Sequence, residues 1–426
     1  MKAKSFLIAM LFTISLFVSA QDAITEYNKA CADYAQGDYA NAVAALQRAE
    51  GYLGGQKIRT TTLMIFALYK SGDFDSSEIL ERIASYEKVS PAKDSIYQEI
   101  MSIKSVVGYR EAALKGDGEA QYHLGMMYET GKGVDRDYTQ AASWYRKAAA
   151  QGYAPAQDSL GVMYYYGQGV DRDYTQAASW YHKAADQGYA PAQNSLGIMY
   201  FYGQGVDQDY VQAASWYRKA AEHGLAAAQY NIGKMYKYGQ GVVQDFAKAL
   251  SWYRKAADQG DAGAQCDLGV MYEMGQGVSQ DNTKALYLYR KAANQGNADA
   301  QYNLGTMYDF GFGVDKDYVQ AAFWFRKAAD LGHVIAQYNL GLMYINGQGV
   351  DKDYIQATSL FRKAAEQGYP DAQCDLGVVY ENGWGIEKDY DQAAFWFRKA
   401  ADQGYERAMT DLNELQQWQK SQQKKE

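Results

Sequence analysis

Several residue types recur at spacings that could support chemistry. Acidic pairs such as Asp135 with Asp137, Asp171 with Asp173 and Asp351 with Asp353 could begin calcium loops. A calcium loop also needs further oxygen ligands and a closing Glu, which these segments lack, whereas an Asp just ahead of a helix is explained by capping. Gly-x-Gly segments such as Gly203 and Gly205 could wrap a phosphate. No strand pattern precedes them, and the third glycine of a dinucleotide fingerprint is missing. The four histidines, His123, His182, His223 and His333, stand at unrelated phases of the sequence, so neither a metal cluster nor a nucleophile-base pair follows. Trp144, Trp180, Trp216, Trp252, Trp324 and Trp396 form a regular series that suits a packed core better than a ligand cage. The expectation is a chain with no catalytic set, no metal and no cofactor.

The elements that must position these residues are set by an internal repeat. The alanine of an Ala-Gln pair recurs at Ala120, Ala156, Ala192, Ala228, Ala264, Ala300, Ala336 and Ala372, always 36 residues apart. A period of that length marks an array in which each unit buries its core against its neighbours. The balance of 42 basic and 50 acidic residues gives a net charge of -8, which disfavours nucleic acid and anionic lipid as partners. Four prolines, 41 glycines at fixed phases and 40 tyrosines suit helices joined by tight turns.

Counted from its Ala-Gln start, each repeat reads as two helices. Ala192, Leu196, Met199, Tyr200 and Gly203 place positions 1, 5, 8, 9 and 12 on one face of a first helix. Gly197, at position 6, gives up about 1 kcal/mol of helix propensity, which close packing of a neighbour must offset. Gly203, Gly205 and Val206 end the helix, because glycine enters the left-handed region freely. Asp209 and Gln212 predict a capping box for the second helix. Ala213, Trp216, Tyr217, Ala220 and Ala221 form its buried stripe, Gly224 closes it, and Arg218 pairs with Glu222 on the wet side.

Lys2 and Lys4 ahead of an apolar run from Phe6 to Val18, closed by small residues ending at Ala20, read as a signal peptide over 1–20. Residues 21–90 hold two looser hairpins, with Gly37-Asp38-Tyr39 and Gly72-Asp73-Phe74 at equivalent turns; they resemble tetratricopeptide repeats. Residues 91–119, beginning near Pro91, supply lead-in helices and a half-repeat cap. The eight repeats fill 120–407, and 408–426 is a C-terminal cap helix with a polar tail. Cys31, Cys266 and Cys374 form an odd set. Cys266 and Cys374 share one phase three repeats apart, too far to bridge in a rigid stack.

The pattern AQ-x-x-LG-x-MY-x-x-G-x-GV-x-x-DY-x-x-A-x-x-WYRKAA-x-x-G resembles the Sel-one-like repeat, a relative of the tetratricopeptide repeat. The resemblance implies an all-α, right-handed α-solenoid of helix-turn-helix units. It also implies an adaptor or scaffold between proteins, often exported or held in a bacterial envelope. Some exported members carry a disulfide in each helix pair and are linked to β-lactam binding; this chain lacks those paired cysteines.

If the first helices line the concave surface, as the resemblance implies, positions 3, 7 and 10 point into the groove with position 11 beside them. Repeats two to four place Val162, Tyr165 and Tyr166, then Ile198, Phe201 and Tyr202, then Lys234, Lys237 and Tyr238 along that stripe. These nine residues are the expected partner-binding set, for a peptide or protein held by a monomer outside the cytoplasm, periplasmic or secreted, with no membrane insertion after signal cleavage. The other reading is an envelope enzyme or glycan binder acting on peptidoglycan or β-lactams. Repeat five, with Asn282 in place of the usual aromatic and Leu288 in place of Trp, should be the weakest internal layer.

Overall fold

A computed structural model describes residues 25–53, 58–71, 76–89 and 95–423. The signal segment expected over 1–20, the Gly72-Asp73-Phe74 turn and Pro91 lie outside the described residues. Among those described, the chain is all-helical, with 22 helices and no strand. It divides into two compact units. The first runs to Met199 and takes in Gly203–Asp207; the second comprises Tyr200–Tyr202 and everything from Gln208 onward.

The first unit opens with α1 (25–35), α2 (Tyr39–Leu53), α3 (Ile58–Ser71), α4 (Ser76–Val89) and the longer α5 (Ser95–Leu114). Ala30, Ala42, Ala45, Leu46, Ile65, Ile79, Ile83, Ile100 and Val107 close their shared core. Small alanines opposite branched side chains let the helices approach, and Gly37 makes the α1–α2 turn at φ 79°. The lead-in expected as several helices is one continuous helix, α5, against which the first repeat packs.

Each repeat then folds as two helices of about equal length. The first unit holds α6 (Gly118–Thr130) with α7 (Tyr138–Ala150) and α8 (Ala154–Tyr166) with α9 (Tyr174–Asp186). It also holds residues 190–199 of α10 (Ala190–Tyr202). The second unit repeats the motif from α11 (Tyr210–Glu222) through α12 (Ala226–Tyr238), α13 (Phe246–Asp258) and α14 (Ala262–Met274) to α21 (Tyr390–Ala401). The chain closes on α22 (Glu406–Gln423), where Ala408 and Leu415 are buried.

The repeated residues do what their spacing predicts. Ala156, Leu160 and Met163 of α8 are fully buried against Ala177, Tyr181 and Ala184 of α9. A β-carbon on Gly161 would stand 2.7 Å from two ring atoms of Tyr181, so glycine here is what lets the aromatic ring lie on the helix backbone. Gly167 caps α8 at φ 73°, and Gly169 brings the turn against the preceding second helix, where a β-carbon would sit 2.1 Å from the Tyr138 carbonyl oxygen. Burying Ala, Leu, Met and Tyr side chains at about 25 cal/mol per Å² is the main stabilisation of every layer.

Two local expectations are corrected. Asp173 caps α9 by accepting from the Thr175 and Gln176 amides, but its own amide donates to the Tyr164 carbonyl at 2.9 Å. That bond occupies the donor a reciprocal Gln would have to satisfy, so the motif is a single-sided cap with an exposed Gln176. Arg218 does not pair with Glu222; it donates to the Tyr236 hydroxyl of the next first helix at 3.0 Å. Arg254 with Tyr272 and Arg326 with Tyr344 repeat this tie at 2.8 and 2.6 Å.

A further tie runs through the Ala-Gln pairs. The Gln of every Ala-Gln pair is buried. Gln157 donates to the Ala149 carbonyl and accepts from Gln187, thirty residues onward, at 2.8 Å. The same Gln-Gln bond occurs at Gln121, Gln229, Gln265, Gln337 and Gln373.

Candidate interaction face

The first helices stand side by side, and their outward positions divide by burial. Position 3 is not free. Tyr338 donates to Asp375 of the next first helix at 3.0 Å, Asn303 contacts Cys266, and Cys374 lies 3.3 Å from Asp411. In these repeats position 3 joins one first helix to position 4 of the next. All three cysteines are free thiols, and burial pushes those of Cys266 and Cys374 up to about 12. Unreactive packing is the consequence.

Positions 7 and 10 are mixed. In the first unit Val162 and Ile198 are half-buried, and so is Tyr165, whose hydroxyl donates to Gln204 at 2.6 Å while its ring meets Tyr174 edge-on. In the second unit Phe201 is half-buried against Tyr202 and Tyr210, with ring centroids 5.0 and 5.1 Å apart. Lys234 is exposed, its amine 5.5 Å from the Tyr230 ring centre.

Lys237 departs most from expectation. It is buried and pairs with Asp267 at 2.8 Å. Burial alone would lower its pKa, but the Asp267 hydrogen bond and charge more than reverse this and hold it raised. Lys237 is a tie between adjacent first helices. The Tyr253 hydroxyl has no hydrogen-bond partner, whereas Tyr145 and Tyr289 donate to Glu129 and Glu273, which hold position 10 of their repeats as Lys237 does.

Position 11, at the last turn of the first helix, is where large apolar groups reach solvent. In the second unit Tyr202, Tyr238, Met274 and Phe310 of four successive repeats are between 57 % and 64 % exposed. Phe312, also exposed, stacks on Phe310 at 5.7 Å. In the first unit Tyr166 occupies the same position and is equally open. Position 11 is Thr130 in repeat one and Asn346 and Asn382 in repeats seven and eight, so this phase is apolar in repeats two to six only. Of the nine expected residues, Tyr166, Tyr202, Lys234 and Tyr238 are exposed. Met274, Phe310 and Phe312, outside those nine, are exposed as well; the first two share the phase of Tyr202. The six tryptophans of the regular series lie on the second helices, buried or half-buried, with a lysine one turn onward over each of several rings, as Lys219 is 3.8 Å from the Trp216 ring centre.

Among the described residues no group of three or more His, Cys, Asp or Glu side chains is placed to hold a metal ion, and no helix is long and apolar enough to cross a membrane.

Comparison with known proteins agrees with this architecture. The Sel1 repeat family model matches eight consecutive segments: residues 118–153, 154–189, 190–225, 226–261, 262–297, 298–333, 334–369 and 370–405. Among solved structures, a Sel1 repeat protein from Oxalobacter formigenes is 35 % identical, covering 76 % of this chain and 95 % of its own, with a TM-score of 0.58. A protective antigen present in uropathogenic Escherichia coli strains, displaying an SLR fold, is 33 % identical over 87 % of this chain and 90 % of its own, with a TM-score of 0.49. No curated protein matches the chain. Sel1 repeat proteins are generally non-catalytic scaffolds for protein interactions. With eight matched repeats over most of its length, an all-helical stack and a 35 % identical relative of the same kind, the chain belongs to the Sel1 repeat family.

Proposed function

We propose that this protein is a non-enzymatic scaffold outside the cytoplasm that holds a peptide or partner protein on its first-helix face. The observation that carries the reading is the run of Tyr202, Tyr238, Met274 and Phe310 at one phase of four successive repeats. More than half of each of these side chains is open to solvent, and each costs the free protein exposed apolar surface. At about 10 Å per helix neighbour the run extends roughly 30 Å, a span suited to one bound segment of peptide or helix. Large apolar side chains at the centre of a face with a polar border are the anchors expected of an interaction site. Export is supported by Lys2, Lys4 and the apolar run that follows them.

The test is co-purification from the native host with a double variant, Tyr238→Ser and Met274→Ser. The expected result is loss of a partner that the wild type retains, while Tyr287→Ser, exposed on a second helix, retains it and the circular dichroism of both stays helical. Equal retention by all three would refute the reading. The intact mass of the mature protein checks export, which predicts a chain beginning at Gln21.

A further inference from the structure

The half-repeat ahead of the first full repeat departs from the others at one position. Counted back 36 residues from Trp144, the place held by Trp in six repeats and by Leu288 and Leu360 in the other two is Gly108, inside α5. In the full repeats this side chain packs back on the layer before it. Trp144 packs on the cluster of Val106 and Ala113, and Trp180 on that of Ala141 and Tyr145. Gly108 has no side chain to send back. Its backbone is helical, and a β-carbon there would meet no atom within 4 Å. A glycine inside a helix costs about 1 kcal/mol against Ala, and neither a turn nor a crowded neighbour requires one here.

What the missing side chain leaves is an open cleft of about 460 Å³, with Ser105, Gly108, Tyr109 and Ala112 of α5 along its floor. That stripe runs about 10 Å along the helix, and the volume is in the range of small-ligand sites. The helix before it, α4, meets α5 on a different stripe, through Ile79 and Ile83 with Ile100, Ile103 and Val107. Tyr109 holds the phase of Tyr145, whose ring lies on Gly125, but Tyr109 leans on His123 instead, with ring centres 4.8 Å apart. The lining differs in charge along its length. Lys104 is held by Glu87 of α4 at 2.8 Å. Asp117 and Glu119 line the cleft from the start of α6, where Asp117 caps the Ala120 amide at 2.8 Å and Glu119 is exposed, 3.7 Å from His123. An aromatic floor beside two carboxylates is complementary to an aromatic group that carries a cation.

We propose that this cleft is a peptide-binding site, in which a partner polypeptide places one aromatic side chain in the space over Gly108, against Tyr109, and a neighbouring lysine or arginine at Asp117 and Glu119. The guest supplies from outside what the full repeats carry themselves, an aromatic ring with a cation beside it, as Lys147 lies 3.7 Å from the Trp144 ring centre. The cleft belongs wholly to the first unit and uses none of the residues of the apolar run.

The experiment is isothermal titration calorimetry of the full chain with three end-blocked peptides, Gly-Trp-Lys-Gly, Gly-Trp-Glu-Gly and Gly-Ala-Lys-Gly. The first should bind about tenfold more tightly than either of the others, because it alone carries both groups. Gly108→Trp should abolish its binding by filling the space with the residue of the full repeats, whereas Gly108→Ala, which favours the helix and leaves the space, should retain it. Asp117→Asn combined with Glu119→Gln should bring Gly-Trp-Lys-Gly down to the level of Gly-Trp-Glu-Gly, and since Asn also caps a helix the circular dichroism should stay helical. Equal or absent binding of the three peptides would overturn the proposal. So would binding that survives Gly108→Trp, equal loss in Gly108→Ala, or a lysine preference that persists without the two carboxylates. The co-purification test of the apolar run involves neither this cleft nor these variants, so the two readings fail separately.

Discussion

The Gln-Gln tie has a natural gap, and filling it is a direct test of how the layers hold together. Gln301 is buried and donates to the Ala293 carbonyl at 3.1 Å, but its side-chain oxygen has no partner. The residue thirty positions onward, where six other repeats have Gln, is Leu331, and it is largely exposed. Leu331→Gln should place an amide 2.8 Å from that oxygen, the distance found at Gln229 and Gln265. An unsatisfied buried acceptor costs about 1–3 kcal/mol, and ordering the new Gln side chain returns up to about 2 kcal/mol of that. The net gain should be about 1 kcal/mol. A repeat array opens locally, so the assay is hydrogen exchange at the amides of repeats six and seven rather than one global transition. Exchange there should slow about five-fold, with repeat two unchanged. The reverse change, Gln259→Leu, should speed exchange at its own layer by a similar or larger factor. If Leu331→Gln leaves exchange unaltered while Gln259→Leu destabilises, the orphaned oxygen of Gln301 carries no cost and the reasoning fails.

Three further outcomes follow from the same packing. Tyr253→Phe should be neutral or stabilising by up to about 1 kcal/mol, because the hydroxyl it removes has no partner, whereas Tyr289→Phe should destabilise by about 1–3 kcal/mol by stranding Glu273; urea unfolding compares them. The Asp158 carboxyl has a folded-state pKa near 7 against an ordinary 3.8, so folding takes up a proton between those values. Its stabilising contribution is therefore complete below pH 3.8, falls as pH rises to about 7, and is constant above it. At about 1.4 kcal/mol per pH unit the total is on the order of 4 kcal/mol at most, and Asp158→Asn should be more stable than wild type at pH 8 but not at pH 4. Repeat five should exchange its core amides fastest among the internal repeats, since Asn282 replaces an aromatic and leaves its own side-chain oxygen without a partner; equal protection in repeats five and two would contradict this.

Contacts within one repeat were legible in the sequence because helical spacing fixes which residues share a face. Leu196 and Ala213 are buried, Asp209 caps, and the position 6 glycine seats a ring, all as the pattern implies. Contacts between repeats were not, because their offsets of 18, 30 and 37 residues arise from how helices stack and not from any one helix. Arg218 with Tyr236, Lys237 with Asp267 and Tyr338 with Asp375 are of this kind. The Gln left a signal in the constancy of the Ala-Gln pair, which reads as a helix start until its burial is known. Lys237 looked like a free cation because its partner sits in the next repeat. On the first helices the residue that reaches solvent in successive repeats is position 11, one step beyond those the helical wheel ranked first.

The central claim is that the apolar run on the first helices is a protein-binding surface, and a photo-crosslinking residue at Phe310 tests it most directly. In the native host it should give one dominant covalent adduct with a partner polypeptide, absent when the same residue replaces Tyr287 on the second-helix side. No adduct at Phe310, or the same adducts at both positions, would contradict the account.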